Sequence, residues 1–282
     1  MEVFTVNLYN EFNLTAPENA SGTLTAYLPE RSEPISLNRK RPAMLIIPGG
    51  GYCHVSKREA EPVAFKYLAK GYACFVLNYS VTPVKYPWSH REAAMAVSYI
   101  RKNAQKFGIN SINGIGFSAG GHLLGCMATL YDSPMLDVLG EDKALCKLDN
   151  AVFVYPVITY GNKGHLGSFE SLCGDDIELR KSLSIEKNVD KNSVPCYIVH
   201  TMGDTVVPVK NSLLLASAYE EFGVPFSLHI FEKGNHGMSV NDITCDSETN
   251  LLGRKDGATV DYSSWVEESL IWLSERGVKV ED

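Results

Sequence analysis

A serine flanked two positions away by glycines, in Gly116-Phe117-Ser118-Ala119-Gly120, is the pattern of a nucleophile lifted on a tight turn. A serine hydroxyl is a weak nucleophile until a base takes its proton, and that base needs a carboxylate to orient it. Both types follow in the chain: Asp204 in His200-Thr201-Met202-Gly203-Asp204, then His236 in Gly234-Asn235-His236-Gly237. Acyl transfer also passes through a tetrahedral oxyanion, which fixed N–H donors stabilise. Pro48-Gly49-Gly50-Gly51-Tyr52 is a glycine run able to bring backbone close to a substrate, so Gly50, Gly51 and Ala119 are the expected donors. Each fragment has a plainer explanation alone: an idle turn serine, a helix-capping Asp, a loop histidine, a flexible or phosphate-binding glycine loop. The order Ser, Asp, His is what raises the combination above chance.

Such residues act together only if the chain's elements carry them to one place. Ala43–Ile47, Ala73–Leu77, Ile112–Phe117, Ala151–Tyr155, Cys196–Thr201 and Phe226–Phe231 read as strands, most of them short apolar runs. Helices are expected over about Arg58 to Lys70, Ser89–Phe107, Ala119–Tyr131, Asn211–Phe222 and Tyr262–Gly277. This alternation implies a mostly parallel sheet of about eight strands with helices on both faces. Val3–Tyr9 and Thr23–Leu28, joined by a turn at Ala16–Gly22, complete it as an antiparallel edge hairpin. Ser118, Asp204 and His236 then each follow a different strand at the carboxyl edge, where α/β sheets bind ligands. The chain reads as one domain over 1–282. Two stretches, 159–194 and 239–260, break the rhythm and are expected to be insertions above it.

The other polar residues receive more ordinary assignments. Tyr52 and His122 are candidate substrate contacts beside the nucleophile. His200 and His229 fall in strands and are expected in the core; His54, His90 and His165 are expected in loops or on the surface. Ser56-Lys57-Arg58-Glu59 fits a helix capping box with Pro62 in the first turn, which makes capping the expected role of Glu59 rather than substrate contact.

Composition narrows the function classes. The chain has 282 residues, 45% hydrophobic and 21% charged, in the range of a globular protein with a sizeable core. Its 26 basic against 33 acidic residues give a net charge of −7, and no Lys/Arg-rich run stands out. Nucleic acid and anionic membranes are therefore poor partners for it. The seven cysteines are far apart with no zinc or redox spacing. With no basic-then-apolar leader at its start, the chain is expected to be cytoplasmic with reduced thiols. No metal or organic cofactor is expected.

Taken together, Pro48–Tyr52, Ser56–Ala64, Gly116–His122, Tyr155-Pro156-Val157-Ile158, Asp204–Pro208 and Asn235–Ser239 resemble the α/β-hydrolase superfamily. The similarity spans roughly residues 20–275. It is to small bacterial acetyl esterases of the acetyl-xylan and feruloyl esterase-like group, near the hormone-sensitive-lipase-like branch. Pro48 stands where many lipase-like relatives carry His, and Asn78-Tyr79-Ser80 departs from the Tyr-Arg common after the corresponding strand. The resemblance implies a serine carboxylic-ester hydrolase acting on a small-molecule ester, with acetylated carbohydrate as the substrate class. Two alternatives remain: a serine peptidase of the prolyl-oligopeptidase type, whose propeller has no room within 282 residues, and a binding protein on an inactive hydrolase fold. Oligomeric state is left open.

Overall fold

Strands buried on both faces must be apolar on both faces, and the central strands of this chain are. In the computed structural model, which describes residues 1–33, 37–245 and 261–282, eight strands form one sheet. They are β1 (Glu2–Asn7), β2 (Thr23–Leu28), β3 (Arg41–Ile47), β4 (Ala73–Asn78), β5 (Ile109–Phe117), β6 (Asn150–Val154), β7 (Cys196–Thr201) and β8 (Phe226–Phe231). Their spatial order is β1-β2-β4-β3-β5-β6-β7-β8. The β1–β2 and β2–β4 pairs are antiparallel, and every pair from β4–β3 to β7–β8 is parallel. This is the α/β-hydrolase fold, with the antiparallel hairpin at one edge.

Alternate residues feed two cores. Ala43, Leu45 and Ile47 of β3, with Phe153 and Ile198, join the cluster beneath the Trp88–Lys102, Ala119–Thr129 and Lys210–Glu221 helices. Met44, Ile46, Phe117, Val152 and Val199 face the opposite cluster, under the Glu61–Leu68 and Ser264–Glu275 helices. No helix among the described residues is long and apolar enough to cross a membrane, and all seven cysteines are free thiols.

Several expectations need correction. Tyr9 lies in a short Leu8–Glu11 helix, not in β1, and its hydroxyl donates to buried Glu92 at 2.6 Å. The expected Ser89–Phe107 helix breaks at Asn103, whose side-chain amide donates to the Tyr99 carbonyl at 2.9 Å and so competes for a helical acceptor. His90 is fully buried. His229, expected in the core, is 40% exposed because β8 is an edge strand, and its Nδ1 lies 2.8 Å from Glu268. The Ser56 side chain makes no capping bond; a single turn over Lys57–Glu59 precedes the Glu61–Leu68 helix. Asn78-Tyr79-Ser80 is held by Glu92, which accepts from the Ser80 amide and hydroxyl, and by Tyr79, which donates to the Pro48 carbonyl at 2.8 Å.

The 159–194 stretch contains no strand but two short α-helices, Leu166–Cys173 and Ile177–Ser182, and a single 3-10 turn, Ile185–Lys187. Phe169 and Leu172 sink into the main core, so this segment is packed onto the sheet's helical layer. Of the 239–260 stretch, residues 246–260 lie outside the described residues; Ser239 and Val240 are buried.

Candidate active site

The turn after β5 explains the glycines around Ser118. Ser118 has φ 52° and ψ −118°, a conformation L-residues rarely adopt. The turn closes so tightly that a Cβ on Gly116 would lie 2.5 Å from the Gly120 carbonyl, and one on Gly120 would lie 2.2 Å from the Ile47 carbonyl. The serine is thereby held at the carboxyl edge of the sheet, at the N-terminus of the Ala119–Thr129 helix, whose dipole favours negative charge.

The loops after β7 and β8 bring Asp204 and His236 to it. His236 Nε2 lies 2.8 Å from Ser118 Oγ, and its Nδ1 lies 2.6 Å from Asp204 Oδ2. A carboxylate can only accept, so Nδ1 carries the proton and Nε2 is free to accept from the serine. Asp204 is buried and multiply bonded: Oδ1 accepts from the Val206 and Val207 amides at 2.9 Å each, and Oδ2 lies 3.3 Å from His200 Nε2. Burial alone would raise its carboxyl, but the bonds from His200 and His236 and the Val207 amide outweigh burial and hold it far below the usual range. His200 is a core residue, as expected, with Nδ1 accepting from Ser212 Oγ at 2.7 Å and Nε2 shared between the Val207 carbonyl and Asp204. It is a second support for Asp204 that the sequence pattern did not reveal.

The Pro48–Tyr52 loop follows β3 and runs beside Ser118. Its carbonyls and one amide are tied down from several sides: Tyr79 Oη donates to Pro48, the Ser56 amide to Gly49, and the Cys53 and His54 amides to Gly50. The Gly49 amide donates to Glu59 at 2.8 Å. Among the described residues, the amides of Gly50, Gly51 and Ala119 have no acceptor within the protein. A fixed loop with unengaged amides beside a nucleophile is the arrangement that preorganised anion stabilisation requires.

These residues open on a cleft of about 380 Å³, lined among others by Gly51, His54, Ser118, His165, Val206 and His236. His165, expected in a loop or on the surface, lies in the loop before the Leu166–Cys173 helix and is half-buried there. Its Nδ1 accepts from the Ser168 amide and hydroxyl at 3.3 and 2.8 Å, which leaves the proton on Nε2. Burial, and then the nearby His236, push its pKa down, so the ring is uncharged.

Tyr52 and His122, the expected substrate contacts, do not line this cleft. Both are buried and bonded to each other, Tyr52 Oη to His122 Nδ1 at 2.8 Å, and His122 Nε2 donates to the Leu183 carbonyl at 2.8 Å. They fall inside because Tyr52 turns inward from the loop and His122 is on the inner side of its helix, against Phe169. Burial lowers the His122 pKa to about 4 despite the Leu183 bond. His90, His122 and Cys126 place potential ligand atoms within 4.8 Å of one another. Both His122 nitrogens are already engaged, however, and burial raises the Cys126 thiol, so the trio fits a buried polar cluster better than a metal centre.

Residues 26–219 match the BD-FAE family. The chain is 36% identical over 244 residues to endo-1,4-beta-xylanase B of Butyrivibrio fibrisolvens, covering 82% of this chain and 37% of that protein. It is 26% identical over 238 residues to an acetylxylan esterase of Xylanibacter ruminicola, covering 81% and 46%. The chain thus spans less than half the length of these two relatives. Among solved structures, an acetyl ester-xyloside bifunctional hydrolase from Caldicellulosiruptor lactoaceticus superposes with a TM-score of 0.81 at 32% identity, over 98% of this chain and 97% of that one. A carboxylesterase from Lactobacillus plantarum has a TM-score of 0.82 at 24% identity over the full length of both, a likeness of fold.

Proposed function

We propose, because the chain belongs to the BD-FAE family, that it is a serine carboxylic-ester hydrolase whose whole length forms one α/β-hydrolase domain. The observation that carries the reading is the unbroken hydrogen-bonded relay from Ser118 through His236 to Asp204, beside unengaged amides of Gly50, Gly51 and Ala119. In this reading Ser118 Oγ attacks the ester carbonyl carbon while its proton passes to His236 Nε2. Asp204 stabilises the imidazolium, and the amides receive the oxyanion. His236 then protonates the departing alcohol, leaving an acyl-serine. Water, deprotonated by the same Nε2, attacks that ester, and collapse of the second oxyanion returns Ser118 and releases the acid.

The substrate class we propose is an acetyl ester of a carbohydrate. The names of two relatives, which pair acetyl ester or acetylxylan hydrolysis with xylose chemistry, support it. The polar side chains lining the cleft support it too, with His54, His165 and His236 beside Ser118. The uncharged His165, with its Nε2–H, supplies a donor suited to a sugar hydroxyl. Incubation with an aryl organophosphonate ester followed by peptide mass spectrometry tests the reading. A single adduct on Ser118, with loss of esterase activity, is expected; a folded protein that is not labelled would overturn it, and turnover of peptides would move it to the peptidases.

A further inference from the structure

Glu59 is 4% exposed, and both its oxygens are engaged by neutral donors: Oε2 accepts from the Gly49 amide at 2.8 Å and Oε1 from Tyr155 Oη–H at 2.7 Å. Each donor leads to a different part of the site. Gly49 is the residue before Gly50 and Gly51, and a Cβ on it would lie 2.8 Å from Glu59 Oε2 and 2.9 Å from Ser118 Cβ. Tyr155 Oη in turn accepts from the Ser239 amide at 2.9 Å, three residues past His236, and the Tyr155 ring packs on the His236 imidazole with centroids 4.9 Å apart. Ser239 is fastened on its other side, with its hydroxyl donating to the Arg58 carbonyl at 2.7 Å and its carbonyl accepting from Trp265 Nε1 at 3.1 Å.

We propose that Glu59 is a positioning residue that ties the oxyanion loop to the histidine loop, through Gly49 on one side and Tyr155 and Ser239 on the other. The proposal rests on the esterase reading above. A carboxylate suits this position because each of the two donors, which approach different oxygens, is given an acceptor of its own. Gln offers one acceptor oxygen and one NH₂: with the oxygen on the Gly49 amide, the NH₂ faces Tyr155 Oη and the Tyr155 proton loses its acceptor, and with the amide reversed two donors meet at Gly49. The tether holds the amides in register with Nε2 of the base, and a misplacement of about 1 Å in such a site is able to cost ~10²-fold in rate.

The test compares wild type, Glu59→Gln, Tyr155→Phe and the double variant on an aryl acetate, with an aryl boronic acid as a tetrahedral mimic. Glu59→Gln is expected to lower kcat by ~10- to 100-fold with KM changed by no more than about threefold, because the alignment matters most in the transition state. Boronate affinity is expected to fall in parallel. Tyr155→Phe cuts the same tether at its middle and is expected to lower kcat about 5- to 10-fold. The double variant is expected to be close to Glu59→Gln, since the two residues act in one chain and their effects are not additive. A merely structural role would lower Tm while leaving kcat per folded molecule intact. Wild-type kcat in folded Glu59→Gln, or in folded Tyr155→Phe if the former does not fold, overturns the proposal alone. A wild type that neither hydrolyses esters nor binds the boronate overturns the esterase reading, and this proposal with it.

Discussion

The two glycines assigned as oxyanion donors face different surroundings, and alanine at each gives opposed outcomes. Gly50 has φ +122°, and a Cβ there would lie 2.0 Å from the His54 carbonyl oxygen and 2.8 Å from its carbon. Real Cβ contacts do not fall below 3.0 Å, so the backbone at Gly50 must move by about 1 Å, a displacement able to cost ~10²-fold in a preorganised site. Loss of a single oxyanion donor costs a similar ~3 kcal/mol. At Gly51, φ is +64° and the nearest atom to a Cβ is Ser168 Oγ at 3.9 Å. Alanine fits there at the left-handed penalty of about 1–2 kcal/mol, which falls on stability and leaves the amide where it is. Steady-state kinetics on an aryl acetate, with thermal melts of each variant, separate the two effects. Gly50→Ala is expected to lower kcat ~100-fold, and Gly51→Ala to lower Tm with kcat within a few-fold of wild type. Wild-type kcat in Gly50→Ala, or equal kcat losses in the two variants, would refute the placement of the oxyanion loop.

Ser118→Ala and His236→Ala are expected to lower kcat by ~10⁴-fold or more in folded protein, and Asp204→Asn by ~10²–10⁴-fold, measured by the same assay; a folded Ser118→Ala variant keeping most of its activity sinks the relay. Aryl acetate is expected to be cleaved with higher kcat/KM than butyrate and far higher than octanoate, since each methylene gains its ~0.8 kcal/mol only where an apolar surface receives it; a rise toward octanoate refutes the acetyl-ester reading. His165→Ala is expected to raise KM several-fold for an acetylated sugar but not for an aryl acetate; equal effects on both would remove His165 from alcohol recognition. For pH, His122 titrates near 4 when folded against 6.5 unfolded, so between those values the unfolded chain binds the extra proton and stability falls as pH falls. That window amounts to about 3 kcal/mol, fully present above pH 6.5, and denaturant melts from pH 7 to 4 would read it; a flat profile contradicts the buried neutral ring.

The central strands were legible because they are buried on both faces, where most side chains must be apolar. Cys196–Thr201 and Phe226–Phe231 fall where the sequence puts them, and β3, β5 and β6 differ only at their ends. Legibility fails where the deciding contact is remote. Edge position leaves His229 of β8 half open, yet the letters Phe-Ser-Leu-His-Ile-Phe say nothing of being last in the sheet. Asn103 ends a helix whose apolar period continues through Ala104, because one side-chain amide reaches back to Tyr99.

The same division runs through the candidate site. Ser118 and its glycines are a local matter: the turn that forbids a Cβ at Gly116 and Gly120 is built from residues in sequence contact with it and from the adjacent β3 edge, so the motif records its own geometry. Asp204 and His236 were found by order after strands, which the topology turns into proximity. Glu59 and Tyr52 depart from expectation, and the loop residue His165 gains a place at the cleft, for a common reason. Ser-Lys-Arg-Glu has the letters of a capping box, but a glutamate three residues past a serine is free to bond any donor nearby. Here the Gly49 amide and Tyr155, ten and ninety-six positions away, are better placed than the Ser56 backbone. Tyr52 is buried next to Phe169 and Leu172 of the Leu166–Cys173 helix, whereas His165, at the N-cap of that helix, stays at the cleft. A polar residue's type fixes which bonds it is able to make; its partners are chosen by the fold, and in this chain the partners assign Glu59 to the tether and His165 to the cleft.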